Sequence, residues 1–386
     1  MAESTGKWLL IYLFFTMAVS SFVIIEPAPY DILMILFVAA GCLISCHLFP
    51  AETTLPILIL LSFLLSNLLS LFFATDISIS LRFIGITFYL AATWISLVGI
   101  GYRLQLPLLE IIFKGYLLAA FLAAGTGVLA YFQLLPNNDY FLLNDRAKSF
   151  FKDPNVYGPF LIIPALFSIS MVENLQIKSG IKKSMFFLCF LLMVAGVIVS
   201  FSRAAWGNLA ISLVIYMLVM KRDMVKKRLK TILLLILLGV PAFVYFINTP
   251  LVEELLTTRL SLQDYDNERF NAQEEAFKAG LTNPFGIGPG QSENVFPIST
   301  HSIYARLFAE NGFLGLISFV ILMILSLRQS YKCYWKAQNA YGVYYLVIFA
   351  SLVGLVFNSF FVDTLHWRHF WVILALAWCP LGEKNA

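Results

Sequence analysis

Arg203, Arg269 and His301 have types and settings suited to chemistry. Arg203 stands in VSFSRAAWGNL, crowded by apolar residues, with no carboxylate between Glu173 and Asp223. An arginine at a membrane boundary without a local partner is costly and marks a functional site by default. Its planar fork suits a bidentate phosphate. Snorkelling into lipid headgroups, or pairing with a distant acid, would also use it. Arg269 lies in the first turn of a predicted helix from Glu268 to Leu281, where the helix dipole disfavours a cation. Glu268, Asp266 or a bound phosphate at that N-terminus would compensate. Ser299 or Thr300 can cap a helix, which puts His301 in its first turn and favours the neutral imidazole. Such a histidine can take a proton from a hydroxyl; it can also be an interfacial residue held by local hydrogen bonds.

The elements that must position these residues are apolar. The chain has 386 residues, 60% of them hydrophobic and 12% charged, about half the charged share of an ordinary soluble protein. Apolar runs long enough to cross a bilayer recur along its length, so the expected fold class is an all-α polytopic membrane protein. The runs read as about 12 transmembrane helices: 8–25, 30–49, 54–73, 82–101, 108–135, 156–172, 184–202, 204–220, 231–248, 302–327, 341–361 and 367–382. No small-residue cleavage site follows the first, which is read as a span and not a leader. The whole is one membrane domain, with one larger helical loop, 249–301, between spans 9 and 10. The cluster KRDMVKKRLK at 221–230 and the lysines and arginines of alternate loops place both termini in the cytoplasm. Arg203, Arg269 and His301 then fall on the outer face.

Other basic residues go outward with them. Lys148, Arg259 and Lys278 have neighbouring carboxylates to pair with, whereas Arg146, Lys152, Arg306 and Arg368 are further candidates to face an anionic ligand. Asp153-Pro154 suits the start of the sixth span. In the central loop, 251–262 has apolar residues at helical spacing. The helix after it carries Phe270, Phe277 and Leu281 toward one side, as for packing on the membrane domain. FGIGPGQ, with three glycines and a proline, lacks the lysine of a phosphate-binding loop and reads as a shape element that lets backbone approach a ligand. His301, Tyr304 and Phe308 share a helix face, and Asn311-Gly312 ends or kinks it. Asp264-Tyr265-Asp266 and the group Asp363, His366 and His369 are weak metal patterns better read as caps and interfacial residues, so no metal is expected. None of the five cysteines falls in a loop placed outside, so no disulfide framework is expected, and Cys42 and Cys46, four apart on one helix face, read as small buried apolar residues.

Three segments carry a resemblance: FSRAAW at 201–206, NERFNAQEEAFKAGLTNPFGIGPG at 267–290 and THSIYARLFAENGFLG at 300–315, with RAKSFFKDPN at 146–155 as a weaker fourth. Together and in this order they resemble the O-antigen ligase and O-antigen polymerase family of bacterial membrane glycosyltransferases. The resemblance implies a C-type glycosyltransferase-like fold. It implies inverting, metal-independent transfer of a glycan from undecaprenyl pyrophosphate to an acceptor hydroxyl, on the periplasmic face of the inner membrane. Arg203 and Arg269 match the arginines implied to bind the pyrophosphate, and His301 the histidine implied to activate the hydroxyl. Arg146, Lys152, Tyr304, Arg306 and Arg368 are possible secondary substrate contacts. Where the family often has tryptophan, four residues after the second arginine, this chain has Gln273. No cofactor is implied, since the lipid-linked glycan is a substrate. The partners implied are that donor, an acceptor and membrane lipids, and no nucleic acid. The acceptor is lipid A–core for a ligase and the growing glycan for a polymerase; the expectation is a ligase, with the polymerase as alternative. A polysaccharide-lipid transporter is the remote alternative, because the chain shows no repeat-like halves. Lys114, with Glu110 four residues earlier, is its main intramembrane charge.

Overall fold

A computed structural model describes residues 3–43, 48–174, 177–248, 264–296, 298–337 and 342–380. They are mostly helical. The helices are α1 (Glu3–Ala18), α2 (Pro29–Leu43), α3 (Thr54–Ser70), α4 (Ile77–Leu104), α5 (Leu106–Tyr131), α6 (Pro154–Glu173), α7 (Gly180–Val199), α8 (Arg203–Leu218), α9 (Val225–Ile247), α10 (Asp264–Thr282), α11 (Ile303–Lys336), α12 (Val343–Asn358) and α13 (Arg368–Leu376). A two-stranded antiparallel ribbon, β1 (Leu142–Leu143) with β2 (Arg146–Ala147), sits between α5 and α6.

Among the described residues, six helices are long and apolar enough to cross a membrane: Ala51–Phe73, Ile77–Leu104, Leu106–Tyr131, Pro154–Glu173, Gly180–Val199 and Ile303–Lys336. The protein is therefore a multi-pass membrane protein. Each apolar run read from the sequence carries a helix, and several differ in extent: α11, for example, continues past 327 to Lys336, and α9 begins at Val225. The run 8–25 stops being helical at Ala18, where the Ser20 hydroxyl donates to the Met17 carbonyl and the chain turns until the Val23 N–H reaches the Phe150 carbonyl. The run 367–382 keeps only α13, nine residues that rise about 14 Å against a hydrocarbon core of about 30 Å. The segment still runs along α4, from His366 beside Thr87 to Cys379 beside Leu97. The short helix read at 251–262, and Arg259 with it, lie outside the described residues, as do the side chains of Asp264 and Asp266.

α6 is the centre of the bundle and is buried along nearly its whole length. Asp153 caps it, its carboxylate accepting the Asn155 N–H at 2.7 Å, and Pro154 occupies the first turn. Pro164 inside the helix has no N–H for the Phe160 carbonyl, and the Tyr116 hydroxyl of α5 donates to that carbonyl instead, at 2.8 Å. Close approach to α8 is made by Gly158, where an added Cβ would sit 2.7 Å from Ala205 and 2.8 Å from the Ser200 hydroxyl. At the other end of α6, Glu173 takes Arg228 at 2.9 Å and the Tyr216 hydroxyl at 2.8 Å, tying α9 and α8 to it. Lys114 and Glu110 pair at 2.9 Å on α5, and Lys278 and Glu274 at 2.6 Å on α10. Lys148 sits over the Tyr140 ring. The cysteines are not uniformly buried: Cys379 is, but Cys42 is exposed on α2.

Candidate active site

The joint between α7 and α8 sets Arg203. Phe201 adopts a left-handed backbone, with φ of 45°, which costs an L-residue on the order of 1 kcal/mol and reverses the chain in one step. Ser202 then caps α8 by accepting the Ala205 N–H, so Arg203 is the first residue of the helix and is exposed. Arg146 from the ribbon braces the joint: its Nε donates to the Ser200 carbonyl at 2.9 Å and its terminal nitrogen to Asn155 Oδ1 at 3.0 Å. The N-termini of α6 and α8, both positive helix ends, are thereby held together.

His301 has the same local design. It is left-handed, with φ of 47°, and the next residue, Ser302, caps α11 by accepting the Ala305 N–H. The expected cap at Ser299 or Thr300 is corrected: His301 precedes the helix and is not in its first turn. The reason is the strap that follows α12, whose Ser359 carbonyl accepts the Ile303 N–H at 3.1 Å and fixes where α11 begins. His301 is half-buried, and burial pushes its pKa down to about 4, with the Arg269 guanidinium as the next cause. Asp153 and Asp363 act in the opposite direction and Arg306 adds to the lowering. The imidazole is thus neutral at ordinary pH, for a different reason than a helix dipole acting within a first turn. Arg269, and Asp153 at the capped start of α6, are thus near enough to act on the charge of His301.

Arg269 lies in the second turn of α10, not the first, because the helix begins at Asp264. Its guanidinium donates to the Phe361 carbonyl, and Gln273 one turn later reaches the Phe360 carbonyl at 3.5 Å. The face that α10 buries is also corrected. Ala272, Ala276 and Gly280 are buried, whereas Phe270 and Leu281 are exposed and Phe277, though partly exposed, packs its ring on Phe308 of α11 with centroids 5.9 Å apart. Small residues win this face because α11 comes very close: a Cβ at Gly280 would lie 2.6 Å from the Phe308 ring.

The strap 359–365 was not legible as a site element. Besides Ser359, Phe360 and Phe361, it supplies Asp363, which accepts the Leu365 N–H at 3.0 Å and forms an ion pair with Arg306, Oδ2 lying 2.8 Å from Nε. The one available signal was an acid in an apolar stretch, and it suggested a metal pattern. Among the described residues, no group of three or more His, Cys, Asp or Glu is arranged to hold a metal ion.

Arg306, a candidate substrate contact, has its side chain 3% exposed and meets Glu293, Glu310 at 3.1 Å and Asp363. Glu310, fully buried, also accepts the N–H groups of Gly290 at 2.7 Å and Ser292 at 3.1 Å. The glycine segment therefore closes on Glu310. Gly286, with φ of 86°, would put a Cβ 2.2 Å from the Glu310 carbonyl oxygen. Gln291 extends the clamp to the start of α4 through Thr75, Asp76 and Ser80. Gly312 kinks α11 as expected, with φ of 65°.

The remaining candidates are placed as follows. Lys152 pairs with Glu26 at 2.9 Å, both exposed. Tyr304 donates to the Val356 carbonyl at 2.9 Å. Arg368 makes a bidentate pair with Asp31, both contacts 2.6 Å. Arg203 and His301 thus stand at the starts of α8 and α11 and Arg269 near the start of α10; Arg146 braces the joint before Arg203, and the strap holds Arg269 and the start of α11.

In comparisons with known proteins, residues 188–320 match the family model described as O-antigen ligase. The matched segment holds Arg203, Arg269, His301 and Arg306; Arg146, Lys152 and Arg368 lie outside it. No curated protein matches the chain.

Proposed function

With the chain placed in the O-antigen ligase/polymerase family by that segment, we propose that it is a glycosyltransferase of the ligase type. It moves a glycan from undecaprenyl pyrophosphate to a hydroxyl of lipid A–core at the outer face of the bacterial inner membrane. The observation that carries this is His301. It is a strained, half-buried, neutral imidazole held beside an arginine, where positive helix ends gather.

In the reaction, His301 takes the proton of the acceptor hydroxyl. The acceptor oxygen bonds to the anomeric carbon from the face opposite the leaving group, and the bond to pyrophosphate breaks with inversion. Arg203 and Arg269 receive the charge that gathers on the departing pyrophosphate, aided by the N-termini of α6 and α8. Such a leaving group needs no strong acid, so one base and fixed positive charge suffice without a metal. The bound donor also tunes the base. Its negative charge opposes the effect of Arg269 and raises the proton affinity of His301 from its low unloaded value. Lys152, Tyr304 and Arg368 are supports to the surrounding walls in this scheme.

A deletion strain tests the ligase assignment. Loss of a ligase leaves lipid A–core without attached units, which electrophoresis of the lipopolysaccharide shows directly. Core bearing a single unit would mean a polymerase instead.

A further inference from the structure

Arg146 and Trp206 have no part in the reaction as written above, yet both grip the joint that carries Arg203. The joint is short: α7 ends at Val199 and α8 begins at Arg203. A helix end leaves its last carbonyls without N–H partners from the helix itself. Trp206, three residues along α8 from Arg203, reaches two of them, its Nε1 donating to the Val197 carbonyl at 3.1 Å and the Ile198 carbonyl at 3.3 Å. Arg146 takes the Ser200 carbonyl from the ribbon. The left-handed Phe201 lies between these two holds in the chain, its ring against Tyr131 and Trp206 with centroids 5.8 and 5.9 Å apart. A backbone in that region persists only where its surroundings over-determine it.

Arg146 itself has a firm base. Asn144 and Asp145, left-handed with φ of 49° and 60°, turn the ribbon in two residues. Ala147 beside it is buried, and the Lys148 and Ser149 N–H groups both donate to the Phe141 carbonyl. From there one edge of the guanidinium meets two elements at once, the Ser200 carbonyl of the joint and Asn155 Oδ1 in the first turn of α6. Asn155 is fixed in turn by the Asp153 carboxylate, whose charge acts on His301. A lysine has a single point of charge and no such edge. The Arg146 edge therefore ties the support of Arg203 to the α6 turn whose carboxylate acts on the base.

We propose that Arg146, Asn155 and Trp206 are positioning residues for Arg203: they set where its guanidinium stands relative to His301, and Arg146 acts through Arg203 and not as a ligand of the pyrophosphate. The inference deepens the glycosyl-transfer reading above and rests on it. Placement matters because a shift of about 1 Å can cost about 10²-fold in rate.

The test titrates the full chain in lipid nanodiscs with undecaprenyl pyrophosphate and follows thermal unfolding beside it. Asn155→Ala and Trp206→Phe each remove a hydrogen-bonding group and no charge. Each weakens binding about threefold or more while thermal unfolding stays in place. In either background Arg203→Lys then costs less than about threefold, against roughly tenfold in the wild type, because a guanidinium already misplaced has less to lose. A purely structural role does not produce that coupling. Where one of the two variants fails to fold the other decides, and Arg146→Lys, which keeps the charge and loses the edge, stands behind both. Wild-type affinity in the variants that fold overturns the proposal. So do losses that add in full to that of Arg203→Lys, since the three residues then act independently of Arg203; the pyrophosphate reading survives that result. Wild-type affinity in Arg203→Lys itself removes the pyrophosphate reading, and the positioning with it.

Discussion

Around Arg306 a guanidinium is 3% exposed and faces three carboxylates, whereas Arg203 is exposed and Arg269, which donates to the Phe361 carbonyl, is half-buried. The two regions lie at one end of the bundle and share α11 and the strap 359–365. Their difference shows how one residue type is divided between fold and chemistry. A buried guanidinium must be paired, and once its donors are committed to carboxylates it has little left for a substrate. A guanidinium at a rim keeps its fork within reach of a ligand. Arg228, 1% exposed and paired with Glu173, belongs with Arg306.

Variants can break this division. The largest effect is expected for His301→Ala: transfer of a lipid-linked glycan falls by about 10²–10⁴, the usual worth of a general base, with thermal unfolding in detergent unchanged. Retention of full transfer would remove it as the base. Next, Arg306→Ala leaves Glu310 buried with its cation gone and destabilises the fold by about 3–5 kcal/mol, seen as lost yield and early thermal unfolding. If that variant is as stable as wild type but cannot bind donor, Arg306 belongs with the site after all.

A smaller effect separates the rim arginines. Arg203→Lys keeps the charge but not the fork and weakens donor binding roughly tenfold, measured by titration with undecaprenyl pyrophosphate. Unchanged affinity there would dissociate Arg203 from pyrophosphate. The smallest is a titration. In Arg269→Gln a cation beside the imidazole is removed, so the protonated form is favoured and the pKa of His301 rises from about 4 toward its ordinary value. NMR titration of the histidine side chains reads this. In wild type the imidazole is neutral above pH 4 or so, and activity limited by it is lost only below that; in the variant the loss begins at higher pH. No change on removing Arg269 would mean that burial alone sets the value.

Much of this was legible in the amino-acid order. Apolar runs announced the helices because a bilayer-spanning segment must be apolar along its length. Asp153-Pro154 announced the start of α6, and Asn311-Gly312 the kink, because both are local chemistry. The pattern around Arg203 stood out because no nearby residue could explain it. What was misread depended on distance. The cap of α11 moved to Ser302 because a carbonyl from Ser359 fixed the helix start. The partner of the glycine segment, Glu310, a carboxylate twenty residues away, was not foreseen. The face that α10 buries followed its small residues, because the closeness of α11 admitted nothing larger.

By itself, then, the sequence determined a multi-pass helical membrane protein, its apolar segments, and a short set of arginines with one histidine that could do chemistry. Local composition is sufficient for that, since solvation by lipid and helix capping act over a few residues. Tertiary structure decided which arginine is held in the fold and which is left at the rim, and what keeps His301 neutral. Those outcomes depend on which carboxylates, carbonyls and walls arrive from helices far apart in the chain, and burial and Coulomb energies respond to distance in space, not to separation in sequence.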